Sequence, residues 1–230
     1  MRAELIAELA TNHGGDVDLA CDMVRAAADA GADTVKIQSY TLAKLNPKDP
    51  QVDWLKQAHL DEAAHERVMK ACQQAKVQFL SSSFDHKALL LLRRLGQARI
   101  KIASSAPVPL GVGYVTFLKS WPWGSKGAMS YPHVSAHLTA IPLYPTPLEA
   151  VLVAKRLDGW SDHVVGIDAC CYMVAKGARV IEKHFSLPGK GRNCPWDADP
   201  GQFRALRDWS EQVETMTTGV SQTFRERWRA

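Results

Sequence analysis

Strand-like and helix-like segments alternate along the first hundred residues, and this alternation constrains the fold more than any other feature of the chain. Short apolar or β-branched runs predict strands at 3–10, 33–40, 77–82 and 98–105. Apolar residues at helical spacing predict helices between them at 16–31, 61–75 and 85–96. Strand followed by helix, three times over, predicts a parallel sheet that is covered by helices.

The later part of the chain continues the same pattern. We predict further strands at 114–119, 134–141, 158–161 and 178–185, and helices at 147–157, 166–177 and 199–216. Eight such units in 230 residues fit a single TIM (β/α)8 barrel domain that spans residues 1–230. The helices after strands four and five are expected to be shortened or missing, because those connections lack a helical pattern. A doubly wound open sheet is the alternative, and the lack of a glycine-rich loop after the first strand disfavours it.

Composition excludes several classes of partner. The net charge is +4 and no cluster of Lys and Arg is present, which argues against binding to nucleic acid. No stretch approaches the roughly 18 apolar residues of a membrane span, and the N-terminus is too short and acidic for a signal peptide. The five cysteines form no CxxC pair, which predicts reduced thiols in a cytoplasmic protein.

Polar side chains recur near the carboxyl ends of the predicted strands, where barrel enzymes place their chemistry. Strand side chains alternate between faces, so four pairs share a face: Ile6 and Glu8, Lys36 and Gln38, Lys101 and Ala103, and Glu182 and His184. Any one of these alone is commonly solvent-facing. Several that converge on one barrel mouth must be paired or bound to a ligand, because unpaired burial of charge is costly. Lys36 and Lys101 therefore indicate a doubly charged anion such as a phosphate ester.

Two histidines end neighbouring predicted strands. His163 closes the run Ser161, Asp162, His163 after strand seven, and His184 ends strand eight. Neighbouring strands lie ~4.8 Å apart, so two imidazoles can reach one metal ion. With Glu182 or Asp162 nearby, nitrogen and oxygen ligands suit Mn²⁺, Fe²⁺ or Zn²⁺, and the sequence does not choose among these ions.

A set of sequence blocks is recognisable in combination. They are AELATNHGGDVDLACDMVRAAADAGADTVKIQSY, FLSSSFD, IKIASS, YPTP, SDHVVGIDACCYMVAKGARVIEKHF and DPGQF. Together they resemble the barrel domain of the sialic acid synthase family, over almost the whole chain from Ala3 to about Phe203. The resemblance implies a C–C bond-forming transferase that condenses phosphoenolpyruvate with the aldehyde of an N-acyl hexosamine, similar to N-acetylmannosamine. The product would be a nonulosonic acid, with release of phosphate.

The resemblance also implies roles for particular residues. His163 and His184 match the metal ligands, with Mn²⁺ as the expected ion and Mg²⁺, Fe²⁺, Co²⁺ or Zn²⁺ as alternatives. The expected catalytic residues are Glu8, Lys36 and Lys101, where the lysines hold phosphoenolpyruvate. Glu8 would stabilise positive charge at carbon 2 or activate the water that attacks there. The expected substrate-binding residues are Gln38, Ser104, Tyr144, Ser161, Asp162 and Glu182.

The chain departs from the family pattern on strands four to six. Family members usually have a glutamate where Ala106 stands, and a serine, a threonine and a glycine in place of the run Lys119, Ser120, Trp121. Further differences are Pro142 and Leu143 before YP, a lost acid around Asn193, and an end at Ala230 without the family's antifreeze-like domain. We therefore expect a divergent member that keeps the phosphoenolpyruvate half of the site and has altered or lost acceptor recognition. Lys119 is either a replacement phosphate contact or a solvated lysine, and we favour the second.

Two other functions stay open. The chain could be a class I aldolase in which Lys36 or Lys101 forms a Schiff base. It could also be an altered paralogue that binds a phosphorylated small molecule or a partner protein, with the run WPWG (121–124) as an exposed aromatic patch. The alternative is that these tryptophans fill the space left by a lost helix. A shortened barrel would leave apolar strand backs uncovered, which predicts a homodimer.

Overall fold

A computed structural model of the chain describes residues 2–103, 116–122, 134–153 and 158–218. Eight parallel strands form a closed barrel in which each strand pairs with the next and the last pairs with the first. The strands are β1 (Glu4–Ala10), β2 (Thr34–Ser39), β3 (Gln78–Ser83), β4 (Arg99–Ile102), β5 (Thr116–Pro122), β6 (Val134–Ala140), β7 (Gly159–Asp162) and β8 (Val180–His184). The predicted TIM-barrel fold is confirmed, and the doubly wound alternative is wrong.

Helices surround the barrel. They are α1 (Val17–Asp29), α2 (Val52–Gln57), α3 (Glu62–Gln74), α4 (His86–Arg94), α5 (Asp168–Ala175) and α6 (Pro200–Thr218). The predicted helix at 147–157 is, in its described part, a 3-10 helix at Leu148–Val153, and another 3-10 helix lies at Leu42–Lys44. The connections that follow β4 and β5, where helices were expected to be shortened or missing, lie outside the described residues. Within the described ranges, none of the helices combines the length and the apolar character that a membrane crossing requires.

Aspartates begin three of the helices and so fix where the strand-to-helix turns end. Asp16, Asp61 and Asp85 each accept a hydrogen bond from the backbone N–H three residues further on. This capping satisfies donors that have no partner inside the helix. The helix boundaries predicted at 16, 61 and 85 therefore agree with the observed ones to within one or two residues.

The interior of the barrel is built in three layers along its axis. At the amino end, Arg99 donates two hydrogen bonds across the interior to Glu4, at 2.6 and 2.7 Å, and Thr34 donates a third at 2.7 Å. The middle layer is apolar and consists of Ile6, Leu80, Ala136, Leu138 and Val180. Because the same strand faces continue upward into charged residues, the apolar layer separates the amino end from the polar carboxyl end.

Candidate active site

A cavity of about 110 Å³ opens at the carboxyl ends of the strands. Nine of the ten predicted site residues that the structure describes line this cavity. They are Glu8, Lys36, Gln38, Lys101, Tyr144, Ser161, His163, Glu182 and His184. They come from five strands and the loop after β6, as expected when side chains of parallel strands converge on one mouth. Ser104 lies outside the described residues. The exception is Asp162.

Four buried charged side chains form a network at the floor of this cavity. Lys101 Nζ donates to Glu182 Oε2 at 2.6 Å, and Lys36 Nζ lies 3.7 Å from the same oxygen. Lys36 also contacts Glu8 Oε2, and its Nζ donates to Ser82 Oγ at 2.5 Å. Each of these lysines is therefore paired with a carboxylate. Lys36 and Lys101 were predicted to indicate a doubly charged anion as ligand, and in the structure Glu8 and Glu182 already supply negative charge beside them.

Electrostatics assign charge states within the network. Burial alone would raise the pKa of Glu182, but the charges of Lys101 and Lys36 outweigh it and hold that pKa well below its usual value. Ser161 supports the ionised form, because its hydroxyl donates to Glu182 Oε1 at 2.8 Å. Burial lowers the pKa of Lys36 to about 7, although Glu182 opposes this effect. Glu182 is thus an anion at neutral pH, while Lys36 is poised near its titration point.

The backbone that carries Glu8 is irregular. The register between β1 and β2 shifts between Glu8 and Ala10, and Ala10 adopts a positive φ of 49°. Glu8 Oε1 accepts a hydrogen bond from the backbone N–H of Ala10 at 2.7 Å. A bulge next to a binding site commonly re-aims a side chain, and a left-handed alanine costs of order 1 kcal/mol. The bulge holds one oxygen of Glu8 while the other contacts Lys36.

The two predicted metal ligands face each other across the cavity. The ring centroids of His163 and His184 lie 5.4 Å apart, and the ring of Tyr144 lies 4.1 Å from that of His163. His163 Nδ1 lies 3.1 Å from the carbonyl oxygen of Ile141. When Nδ1 carries the proton, it can donate a hydrogen bond to that oxygen. Burial lowers the pKa of both histidines, and the neighbouring His163 lowers the pKa of His184 further. Both are therefore neutral, which is the form that binds metal ions.

The donor set fits a divalent ion held by two imidazoles. Within the described ranges, no three His, Cys, Asp or Glu side chains are grouped closely enough to hold an ion by themselves. Glu182 lines the same cavity, but its oxygens are committed to Lys101 and Ser161. The two histidines are therefore the candidate ligands, and imidazole nitrogen is a better ligand for Mn²⁺, Fe²⁺, Co²⁺ or Zn²⁺ than for Mg²⁺.

Asp162 does not enter the cavity, and its prediction as a substrate-binding residue is corrected. On β7 it shares the outer face with Trp160, whose Nε1 donates to Asp162 Oδ1 at 2.6 Å. Asp162 Oδ2 accepts from Lys183 Nζ at 2.5 Å, and both charged side chains are completely buried. Lys183 also donates to the carbonyl oxygen of Val164 at 2.5 Å. The pair joins β7 to β8 behind the barrel wall.

Sequence reasoning also missed or misplaced other residues. Lys119 is buried and donates to the carbonyl oxygen of Ala103 at 2.5 Å, so its interpretation as a solvated lysine is wrong. Ser82, which binds Lys36, could have been found by the same alternation that placed Gln38 and Lys101, its partners in register. Asp197, which lies near His184, was also missed, because the loop between β8 and α6 has no periodic pattern that would place its side chain.

A closed eight-stranded barrel with its polar cavity at the carboxyl ends of the strands has the architecture of TIM-barrel proteins. The sequence profile described as the NeuB family matches residues 23–110 and 134–222, which is more than half of the chain. The chain therefore belongs to the NeuB family.

Individual relatives agree with this assignment. The N,N'-diacetyllegionaminic acid synthase of Campylobacter jejuni is 31% identical over 253 residues, covering 91% of this chain and 76% of that protein. The solved structure of the spore coat polysaccharide biosynthesis protein SpsE from Bacillus subtilis has 25% identity and a TM-score of 0.72, covering 96% of this chain and 71% of that one. The N-acetylneuraminic acid synthetase of Leptospira borgpetersenii, at 24% identity, shares the fold with a TM-score of 0.77 and coverages of 95% and 86%.

Proposed function

We propose that this chain is a nonulosonic acid synthase that condenses phosphoenolpyruvate with the aldehyde of an N-acyl hexosamine. The observation that carries the proposal is the buried network of Lys36, Lys101, Glu8 and Glu182 in one cavity with a pair of neutral histidines. Buried lysines are costly unless a partner or ligand uses them. Membership in a family with relatives named as legionaminic and pseudaminic acid synthases supports the same activity.

Charge balance favours a divalent cation as part of this function. Phosphoenolpyruvate is a multiply charged anion, whereas the lysine charges in the cavity are already matched by Glu8 and Glu182. We propose that His163 and His184 hold Mn²⁺, which when bound would supply positive charge and Lewis acidity toward a carbonyl oxygen. Lys36 and Lys101 would then orient the phosphate and carboxylate of the substrate.

The chain's own residues suit the remaining chemistry. Carbon 3 of phosphoenolpyruvate bonds to the aldehyde carbon, water adds at carbon 2, and the C–O bond to phosphate breaks. When Lys36 engages the phosphate, Glu8 Oε2 becomes available to stabilise positive charge at carbon 2 or to accept the proton of the attacking water. The ring of Tyr144 lies 4.1 Å from that of His163 and 5.5 Å from that of Trp196, so it lines the cavity beside the histidines.

Phosphate release against a panel of N-acyl hexosamines tests the proposal. We expect release from phosphoenolpyruvate with at least one acceptor, loss of release with a chelator, and recovery on addition of Mn²⁺. Release without any acceptor would indicate simple hydrolysis. Absence of release with every acceptor, together with no heat on titration of phosphoenolpyruvate and Mn²⁺, would contradict the proposal.

One observation favours a second candidate, a class I aldolase. Burial lowers the pKa of Lys36 to about 7, so a neutral and nucleophilic amine is available at physiological pH. Reduction with borohydride in the presence of pyruvate separates the two functions. A covalent adduct on Lys36 supports the aldolase, whereas chelator-sensitive turnover without an adduct supports the synthase.

Binding of phosphoenolpyruvate is expected to draw a proton onto Lys36. Because its pKa is about 7 in the free cavity, the lysine is mostly neutral at pH 8, and a bound anion would raise that pKa. Binding at pH 8 should therefore take up close to one proton, about 0.9, and affinity should fall as pH rises above 7. Titration calorimetry in HEPES and Tris, which differ in ionisation enthalpy, measures the uptake. Lys36→Met is the control, and equal uptake by this variant would exclude Lys36 as the acceptor.

The predicted homodimer and the cytoplasmic location stay predictions. Large apolar side chains are exposed in and after the loop that follows β6, with Leu143, Leu148 and Leu152 at 54%, 52% and 72%. These leucines form an exposed apolar surface that a second copy of the chain could cover. The proposed aromatic patch at WPWG lies where the structure does not describe side chains.

A further inference from the structure

A buried carboxylate with one unused oxygen lies behind His184. Asp197, in the loop between β8 and α6, has a side chain that is only 1% exposed. Its Oδ2 accepts hydrogen bonds from Asn12 Nδ2 at 3.0 Å and from the backbone N–H of Cys194 at 2.7 Å. Its Oδ1 has no hydrogen-bond partner among the described residues and lies 3.8 Å from His184 Nδ1. The hydroxyl of Ser186 also lies near this carboxylate.

One oxygen of the buried Asp197 carboxylate lacks a hydrogen-bond donor among the described residues. Burial of a carboxylate oxygen without a donor is unfavourable, because the oxygen loses its hydrogen bonds to water. At 3.8 Å the contact with His184 is too long for a hydrogen bond, so a relative shift of about 1 Å would be needed to form one. The carboxylate is anchored through Asn12, which also donates to the carbonyl oxygen of Phe185 at 3.1 Å. The imidazole, at the end of its strand and 14% exposed, is the freer of the two groups.

We propose that Asp197 is a positioning residue that accepts a hydrogen bond from His184 Nδ1–H and thereby presents the Nε2 lone pair to the cavity. The role rests on the proposed metal-binding function of His163 and His184. Histidines that bind a metal through one nitrogen almost always donate the other N–H to a carboxylate or a backbone carbonyl. His163 has the second kind of partner, the carbonyl oxygen of Ile141, and Asp197 would provide the first kind for His184.

The geometry favours a positioning role over a direct ligand. Asp197 does not line the cavity, whereas both histidines do. Its Oδ1 lies beside Nδ1 of His184, on the other side of the ring from Nε2. If His184 binds an ion through Nε2, Asp197 Oδ1 lies on the opposite side of the ring and cannot bind the same ion.

The tautomer of His184 tests this role without requiring activity. Long-range ¹H–¹⁵N correlation spectra of the metal-free, ¹⁵N-histidine-labelled protein distinguish Nδ1–H from Nε2–H, with His184→Gln used for assignment. We expect Nδ1–H for His184 in the natural chain and Nε2–H in Asp197→Asn. In that variant the amide oxygen stays with Asn12 and Cys194, and the amide N–H₂ can only donate to Nδ1. His163 is the internal control and should keep Nδ1–H in both proteins.

Metal affinity gives a second readout. Free Mn²⁺ measured by electron paramagnetic resonance should show about 10–100-fold weaker binding to Asp197→Asn. An Nε2–H tautomer of His184 in the natural chain would overturn the role, even if the variant does not fold. An unchanged Nδ1–H tautomer in folded Asp197→Asn would overturn it as well. If the tautomers follow the expected pattern but neither protein binds Mn²⁺, Asp197 still sets the tautomer of His184, and it is the proposed metal binding that fails.

Discussion

Lys101→Met is expected to lower kcat/KM for phosphate release from phosphoenolpyruvate by roughly 10²- to 10³-fold. The reason is the buried pair that Lys101 forms with Glu182 at 2.6 Å. Removal of one member of such a pair costs the folded protein about 3–5 kcal/mol, and loss of one positioned charge at the reacting groups costs about 10²- to 10³-fold in rate. The cavity would also change from balanced to net negative and so repel an anionic substrate. Steady-state kinetics together with calorimetric titration of phosphoenolpyruvate measure the two effects.

Two further variants make this result interpretable. Lys56→Met removes an exposed lysine that pairs with Asp53 on α2, and its effect should stay below about twofold. The double variant Lys101→Met with Glu182→Gln restores charge balance, so it should recover folding stability without recovering turnover. Activity of Lys101→Met within tenfold of the natural chain would remove Lys101 from the proposed site.

Asp162→Asn is expected to destabilise the fold by about 3–5 kcal/mol, because it leaves the ammonium group of Lys183 buried without its counter-charge. Both side chains of this pair are completely inaccessible to solvent. Urea denaturation measures the free energy of unfolding. Replacement of both residues, as Asp162→Leu with Lys183→Met, should recover most of the loss, since a buried ion pair is often no more stable than an apolar pair.

The exposed pair Arg179 and Asp158 is the matched control, because it also joins the region of β7 to that of β8. Its atoms lie 3.1 Å apart, but Arg179 is 62% exposed, so Arg179→Ala should cost less than about 1 kcal/mol. The KM for phosphoenolpyruvate should be unchanged in folded Asp162→Asn. A stable Asp162→Asn protein with a raised KM would instead return Asp162 to the substrate site.

Local patterns in the sequence were sufficient for most of the fold. The alternation of strands and helices reflects burial of each strand on both faces, and that burial leaves apolar runs of recognisable length. Helix α2 was missed because its six residues are too few for a periodic pattern. The helical segment at 147–157 has apolar spacing but, where described, forms a 3-10 helix, a choice that depends on tertiary packing.

The candidate site was predictable where alternation along one strand decides the outcome. Glu8, Lys36 and Glu182 were placed on inner faces by that rule and line the cavity. Asp162 was expected at the substrate site from the family resemblance, whereas the same rule places it on the outer face with Trp160. The pairing of Lys101 with Glu182 joins β4 to β8 across the barrel, and residues 81 positions apart leave no local signal of such a contact.

The layered interior separates the residues that close the barrel at its amino end from those that line the cavity. The paired hydrogen bonds between Arg99 and Glu4 connect β4 to β1 at the amino end, below an apolar layer whose residues do not line the cavity. Substitutions at the carboxyl ends of the strands can therefore change the lining of the cavity while the barrel stays closed at its amino end. Related barrels can therefore diverge in the residues that line the cavity while the amino end keeps the same structure.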